Sequence, residues 1–222
     1  MPSFRPLSAL IVLLVGWFSP TLWAQNHVKV SLVAADTSVQ PGQAITVALR
    51  MVHDAHWHTY WINPGTGLPT SLDWKLPAGW KASDIQWPAP HVLKDKTGAV
   101  IGNGYEGDLL LPVTITAPAD ATLGSNVELK VAASWLMCAE VCMPGDANLS
   151  LRLPIRAEAP KPDATYGERI RQTLATLPRT LPDWTVSAQR TAKSVTLTVK
   201  PAGAARHVPT ELHFFAADNL VG

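Results

Sequence analysis

From residue 28 onward the polarity of the chain repeats with period two. Val28, Val30 and Leu32 alternate with Lys29 and Ser31. After a turn at Pro41-Gly42, Ile45, Val47, Leu49 and Met51 alternate with Thr46, Ala48 and Arg50. The pattern returns over 109–115, at Val127, Leu129 and Val131, and at Leu149, Leu151, Leu153 and Ile155. Such alternation puts one face of a strand on a core and the other in water, as antiparallel sheets do. Short strands parted by Pro/Gly turns predict an all-β fold, an immunoglobulin-like antiparallel β-sandwich over about 28–155.

Between the second and third clear strands the alternation gives way to an aromatic-rich region, 56–105. It holds Trp57, Tyr60, Trp61, Trp74, Trp80 and Trp87 among turn sequences such as Asn63-Pro64-Gly65 and Pro88-Ala89-Pro90. Most of these rings are expected to pack, but a loop system this long is often a lid or a binding surface. Beyond Pro160 the period lengthens: Ile170, Leu174 and Leu177 share a face over 165–177, with Thr165 and Glu168 set as a capping box. Alternation resumes over 184–188 and 195–199, and 211–216 is also strand-like. Two or three strands cannot close a second sandwich. The expected layout is a signal peptide at 1–24, a sandwich domain at 25–157, a linker with a short helix at 158–182, and a partial second β unit at 183–222, cut short because the chain is a fragment.

The N-terminus sets the compartment. One basic residue, Arg5, precedes an apolar run over 7–18, then Ser19, Pro20 and a small residue at Ala24. That is the layout of a secretory signal peptide, and the run is too short for a bilayer span, which needs about 20 residues. Cleavage after Ala24 leaves 17 basic against 17 acidic residues. A neutral chain argues against nucleic acid or an anionic membrane surface as the main partner.

The candidate chemistry lies in Trp135-Leu-Met-Cys-Ala-Glu-Val-Cys-Met-Pro144, which contains the only two cysteines, Cys138 and Cys142. Outside the cytoplasm such a pair is oxidised or redox-cycling. A ring of five residues offers only about 2 kcal/mol as a staple, and tight rings are easily reduced, so a working dithiol is the stronger reading. Glu140 lies inside the ring, where its charge raises a neighbouring thiol pKa rather than activating it. A metal reading stays open: Met137, Cys138, Cys142 and Met143 are four soft donors suited to Cu(I), and His56 and His58 would share a strand face that His53 would not. No serine stands in a nucleophile-elbow context, and phosphate-loop and dinucleotide fingerprints are absent.

The cysteine run resembles the motif of the N-terminal periplasmic region in the DsbD/ScsB family of thiol:disulfide interchange proteins. So do Trp57-His-Thr-Tyr-Trp-Ile-Asn-Pro-Gly65, Gly67-Leu-Pro-Thr70, Trp87-Pro-Ala-Pro90 and Gly104-Tyr-Glu-Gly107, all in the same order over 28–155. The spacing of the cysteines is closer to the ScsB-like branch. The resemblance implies an exported, periplasmic domain that takes electrons from a membrane electron-carrying domain, to which it is tethered, and passes them to thioredoxin-like periplasmic proteins as a protein-disulfide reductase. It implies no cofactor. It also implies Cys142 as the sulfur that forms the mixed disulfide, Cys138 as its partner, and Tyr60 or Tyr105 as candidate cap residues over the pair. Two alternatives remain: a copper-binding or copper-tolerance module using the same sulfurs, and an interaction domain with a structural disulfide.

Overall fold

Each alternating segment becomes a strand. The computed structural model describes residues 26–180, 182–203 and 211–217; the expected signal peptide lies outside them. In chain order the strands are β1 (Val28–Ala34), β2 (Ala44–His53), β3 (His58–Tyr60), β4 (Ser71–Lys75), β5 (Lys81–Ala82), β6 (His91–Lys94), β7 (Val100–Tyr105), β8 (Asp108–Thr116), β9 (Asn126–Cys138) and β10 (Cys142–Pro154). Helix α1 (Gly167–Ala175) and the hairpin β11 (Trp184–Arg190) and β12 (Val195–Pro201) follow.

Two antiparallel sheets form the sandwich. One has the order β1-β2-β8-β5; the other runs β10-β9-β3-β7-β6, with β4 pairing β9 beside β3. Every residue of β10 faces one of β9, from Pro154 opposite Asn126 to Cys142 opposite Cys138. The core lies between the sheets in two halves. Leu32, Val47, Ile115, Leu129 and Leu153 fill one. Leu49, Met51, Leu111, Trp61, Tyr105, Trp135 and Met137 fill the other, toward the cysteine end. These residues occupy alternate positions of their strands, so the inward face is apolar and the outward face carries the polar partners.

The region 56–105 is not one loop system; it contributes five strands of two to six residues, β3 to β7. Strands so short cannot show a period, and a register shift at Leu93/Lys94 breaks alternation where β6 meets β7. The helix is shorter than expected, and its capping box does not form. The Asp163 carboxylate already accepts the backbone N–H groups of Thr165 and Tyr166 at 2.9 and 2.8 Å, while Glu168 turns outward to Arg171 and Gln172. Ile170, fully buried, seats α1 on the outer face of the first sheet against Val33, Ala35, Ala48 and Leu110.

The hairpin β11–β12 pairs only with itself and leaves Val186, Val195, Leu197 and Val199 exposed. Residues 211–216 are not a strand, because no edge is paired with them. Instead Phe215 packs edge-on against Trp61 with ring centroids 6.0 Å apart, and Asn63 donates to the Ala216 carbonyl at 2.9 Å. Among the described residues no helix is long and apolar enough to cross a membrane.

Candidate active site

The long hairpin β9–β10 ends in the three-residue turn Ala139-Glu140-Val141, closed by a backbone bond from Ala139 N–H to the Val141 carbonyl. Facing residues at a non-hydrogen-bonded site of an antiparallel ladder sit about 4.5 Å apart at Cα, so the ladder itself brings two cysteines within bridging range. Here the Cα atoms of Cys138 and Cys142 are 4.1 Å apart and the sulfurs are bonded. Pairing and chemistry are thus set by one register.

Alternation decides the direction of the sulfurs. Trp135 and Met137 point into the core between the sheets, so Cys138 points to the outer face of its sheet. There Tyr60, Leu93, Ile101 and Leu136 enclose it, and only 2% of it is exposed. Cys142 stands on the edge strand and is exposed. One disulfide therefore has a buried sulfur and a reachable one.

Tyr60 reaches both. Its hydroxyl donates to Cys138 Sγ at 3.1 Å and lies 4.0 Å from Cys142 Sγ. Behind it, His58 Nε2 is 3.3 Å from the same hydroxyl. The backbone places this set: His58 faces Cys138 across the β3–β9 ladder, and Tyr60 is two residues on, on the same side. The Tyr60 ring fills the space a side chain would need at Gly67, where a Cβ would come within 2.5 Å of it. Burial pushes the Tyr60 hydroxyl up from its usual range and holds the His58 imidazole below its own.

Glu140, at the hairpin tip, is ion-paired with Lys96 of the β6–β7 loop, and both side chains are well exposed. The Lys96 ammonium, by its hydrogen bond and its charge, holds the Glu140 carboxyl below the usual carboxylate range. That loop is braced from within. Asp95 Oδ1 accepts from Thr97 N–H, Thr97 Oγ1 and Ala99 N–H at 2.8, 2.6 and 3.0 Å. This loop thus meets the tip of the cysteine hairpin through one exposed ion pair.

The family model described as "Thiol:disulfide interchange protein DsbD, N-terminal" matches residues 27–154. The chain belongs to this family. As a DsbD N-terminal family member with a bonded cysteine pair at a hairpin tip, it fits a thiol–disulfide interchange domain. The N-terminal periplasmic domain of ScsB from Proteus mirabilis superposes with a TM-score of 0.60 at 19% identity, covering 82% of this chain and 67% of that one, which supports the immunoglobulin-like fold. The reduced N-terminal domain of DsbD from Neisseria meningitidis matches 60% of this chain and 88% of its own at 14% identity, with a TM-score of 0.26, too slight a superposition to bear on the fold. No curated protein matches the chain.

The DsbD-type motifs meet the sulfurs unequally. Of the two tyrosines expected as caps, the structure brings Tyr60 to the pair. Tyr105 turns into the core and donates to the Pro88 carbonyl at 2.7 Å. The four soft donors do not converge. Met137 and Met143 face each other toward the core, on the opposite side of the ladder from the cysteines. His56 lies in an exposed turn with a φ of 68°, off any strand, so it shares no face with His58. His53 is buried between the Gly107 carbonyl at 2.7 Å and Thr59 Oγ1 at 2.9 Å. Among the described residues no group of His, Cys, Asp and Glu forms a metal cluster.

Sequence reasoning missed Lys96 and the His58–Tyr60 contact. Lys96 and Glu140 lie far apart in the chain and meet only in the folded protein, so no local pattern marks that bond, whereas His58 and Tyr60 stand two apart on β3 and their spacing was itself a signal. A second signal was the glycine in Gly67-Leu-Pro-Thr70, a position where a ring needs room.

Proposed function

We propose that this chain is a periplasmic relay that receives reducing equivalents from a membrane electron carrier and hands them to thioredoxin-like proteins through Cys142, with Cys138 as the resolving sulfur. The observation that supports it most directly is the split exposure of the disulfide. Exchange needs one sulfur open to in-line attack and a second that leaves or returns without competing for partners. In the reducing direction the Cys142 thiolate attacks the partner's disulfide, and a mixed disulfide forms as one partner thiolate leaves. Cys138 then attacks Cys142 Sγ, the second partner thiolate leaves, and the intramolecular disulfide closes. Two electrons move to the partner in total.

The test is trapping. Cys138→Ser is expected to accumulate a mixed disulfide through Cys142 with a thioredoxin-like protein, visible on non-reducing gels, and Cys142→Ser is not. The pair is also expected to equilibrate with glutathione, at a potential above about −300 mV, where structural disulfides do not. Equal trapping by both variants would overturn the roles given to the two sulfurs, and no trapping by either, with a potential below that bound, would mean that the disulfide is a staple.

A further inference from the structure

The buried sulfur poses a problem that the exposed one does not. Each time Cys138 leaves a disulfide it becomes a thiolate, and each time it resolves one it must lose a proton, in a site with 2% exposure. Burial in apolar surroundings disfavours the thiolate. The structure places a single hydrogen-bonded chain on that sulfur: His58 Nε2, 3.3 Å from the Tyr60 hydroxyl, and the hydroxyl, 3.1 Å from Cys138 Sγ. A phenol has one proton to donate. With that proton directed at the disulfide sulfur, which can only accept, the tautomer that completes the chain carries its hydrogen on His58 Nε2 and donates to the phenol oxygen.

We propose that Tyr60 and His58 form a proton relay serving Cys138. Tyr60 is the catalytic member, protonating the Cys138 thiolate as it leaves and accepting the Cys138 proton when it returns to resolve a mixed disulfide. His58 is a positioning residue that orients the hydroxyl and reloads or unloads it. On reduction, the proton passes from the Tyr60 hydroxyl to Sγ, one passes from His58 Nε2 to the phenol oxygen, and His58 Nδ1 takes one from water. On resolution each step reverses and a proton returns to water. The groups that face this chain are few. Around Tyr60 they are Cys138, Cys142 and His58, with the apolar Leu93 and Ile101 beside them. Around His58, Glu106 favours the charged ring, while burial, the larger influence, and His53 disfavour it. A mostly neutral imidazole is the form that can pass a proton both ways.

This inference rests on the proposed exchange through Cys142, and one experiment separates the two. The reduced protein is mixed with one equivalent of 5,5′-dithiobis(2-nitrobenzoate). Attack by Cys142 releases the first thionitrobenzoate, and attack by Cys138 on the resulting mixed disulfide releases the second. Both are followed by stopped-flow absorbance from about pH 5 to 9, a span that covers a depressed imidazole and the thiol groups. In Tyr60→Phe, which removes one oxygen and keeps the ring against Gly67, the first release is expected within about twofold of wild type and the second slowed about a hundredfold, the lower end of general acid–base effects. In His58→Gln, which keeps a hydrogen-bonding group but cannot titrate, the second release is expected to lose its ionisation on the acid side of the usual imidazole value, where the buried ring titrates. An unchanged second release in folded Tyr60→Phe overturns the relay. A uniform slowing in His58→Gln with the wild-type profile shape overturns the part given to His58. Failure of any second release in the wild-type protein overturns the exchange reading itself.

Discussion

His53 and His58 are 7% and 4% exposed, and burial holds both imidazoles below the usual range. A histidine depressed in the folded state binds its proton more readily when unfolded. The stability that its neutral form contributes is therefore full above the unfolded value of about 6.5 and is lost as pH falls through it. The expected result is a thermal midpoint that drops between about pH 7 and 5, with a shallower slope in His53→Gln and in His58→Gln. Equal slopes in all three proteins would show that neither ring titrates on unfolding. The two residues also mark what was readable from spacing. The cysteine pair was plain from composition and compartment, since it is the only one and sits at a turn. The spacing of the histidines left a metal reading open, because only their separation along the chain was visible. Their partners, the Gly107 carbonyl, Thr59 and Tyr60, arrive through β3 and the β7–β8 turn, which no local pattern announces.

At the level of elements, the strands with at least seven residues and a clean alternation could be read directly, as β1, β2, β8, β9 and β10 show. The strands β3 to β7 could not, because two to six residues hold too few periods and their pairing is bought by tertiary contact rather than by propensity. The helix start shows the same limit: the capping-box pattern was present, but Asp163 outcompeted it from outside the window. The hairpin β9–β10 also explains a residue with no reading in the sequence. Gly145 faces Trp135 across the ladder, and a Cβ there would lie 2.5 Å from the indole ring. The indole thus lies flat over the backbone of the neighbouring strand, three pairs from the disulfide. Gly145→Ala must push that ring into the core, and it is expected to cost about 1–3 kcal/mol, the usual range for overpacking. Urea unfolding would check this, and a change under about 0.5 kcal/mol, the size of an ordinary surface substitution, would show that the indole has room to move.

For the whole molecule, the disulfide adds little to the fold. The hairpin that carries it is held by the full β9–β10 ladder, and the bond closes a ring of only five residues. Its chain-entropy contribution is about 2 kcal/mol. Cys138→Ser/Cys142→Ser is therefore expected to remain folded, with its unfolding free energy in water lowered by that amount, its urea midpoint lowered in proportion and its m-value unchanged. Gross unfolding would instead identify the bond as a staple. The sandwich could be foreseen as a whole because one face of each long strand had to find a core. The seating of α1 on Val33, Ala48 and Leu110, and of Phe215 on Trp61, could not, since each depends on a surface that exists only once the sheets are stacked.

The ladder beneath the cysteines has a further consequence. Because the β9–β10 ladder is paired along its whole length independently of the sulfurs, reduction would be expected to leave the outline of the domain nearly unchanged. A donor and an acceptor arriving at Cys142 would meet nearly the same contour. Which of them leaves with the electrons is then decided by their relative potentials and abundance, as current through a bare terminal follows the voltage across it. Under the proposed exchange such a terminal would work in either direction, with its traffic governed from outside.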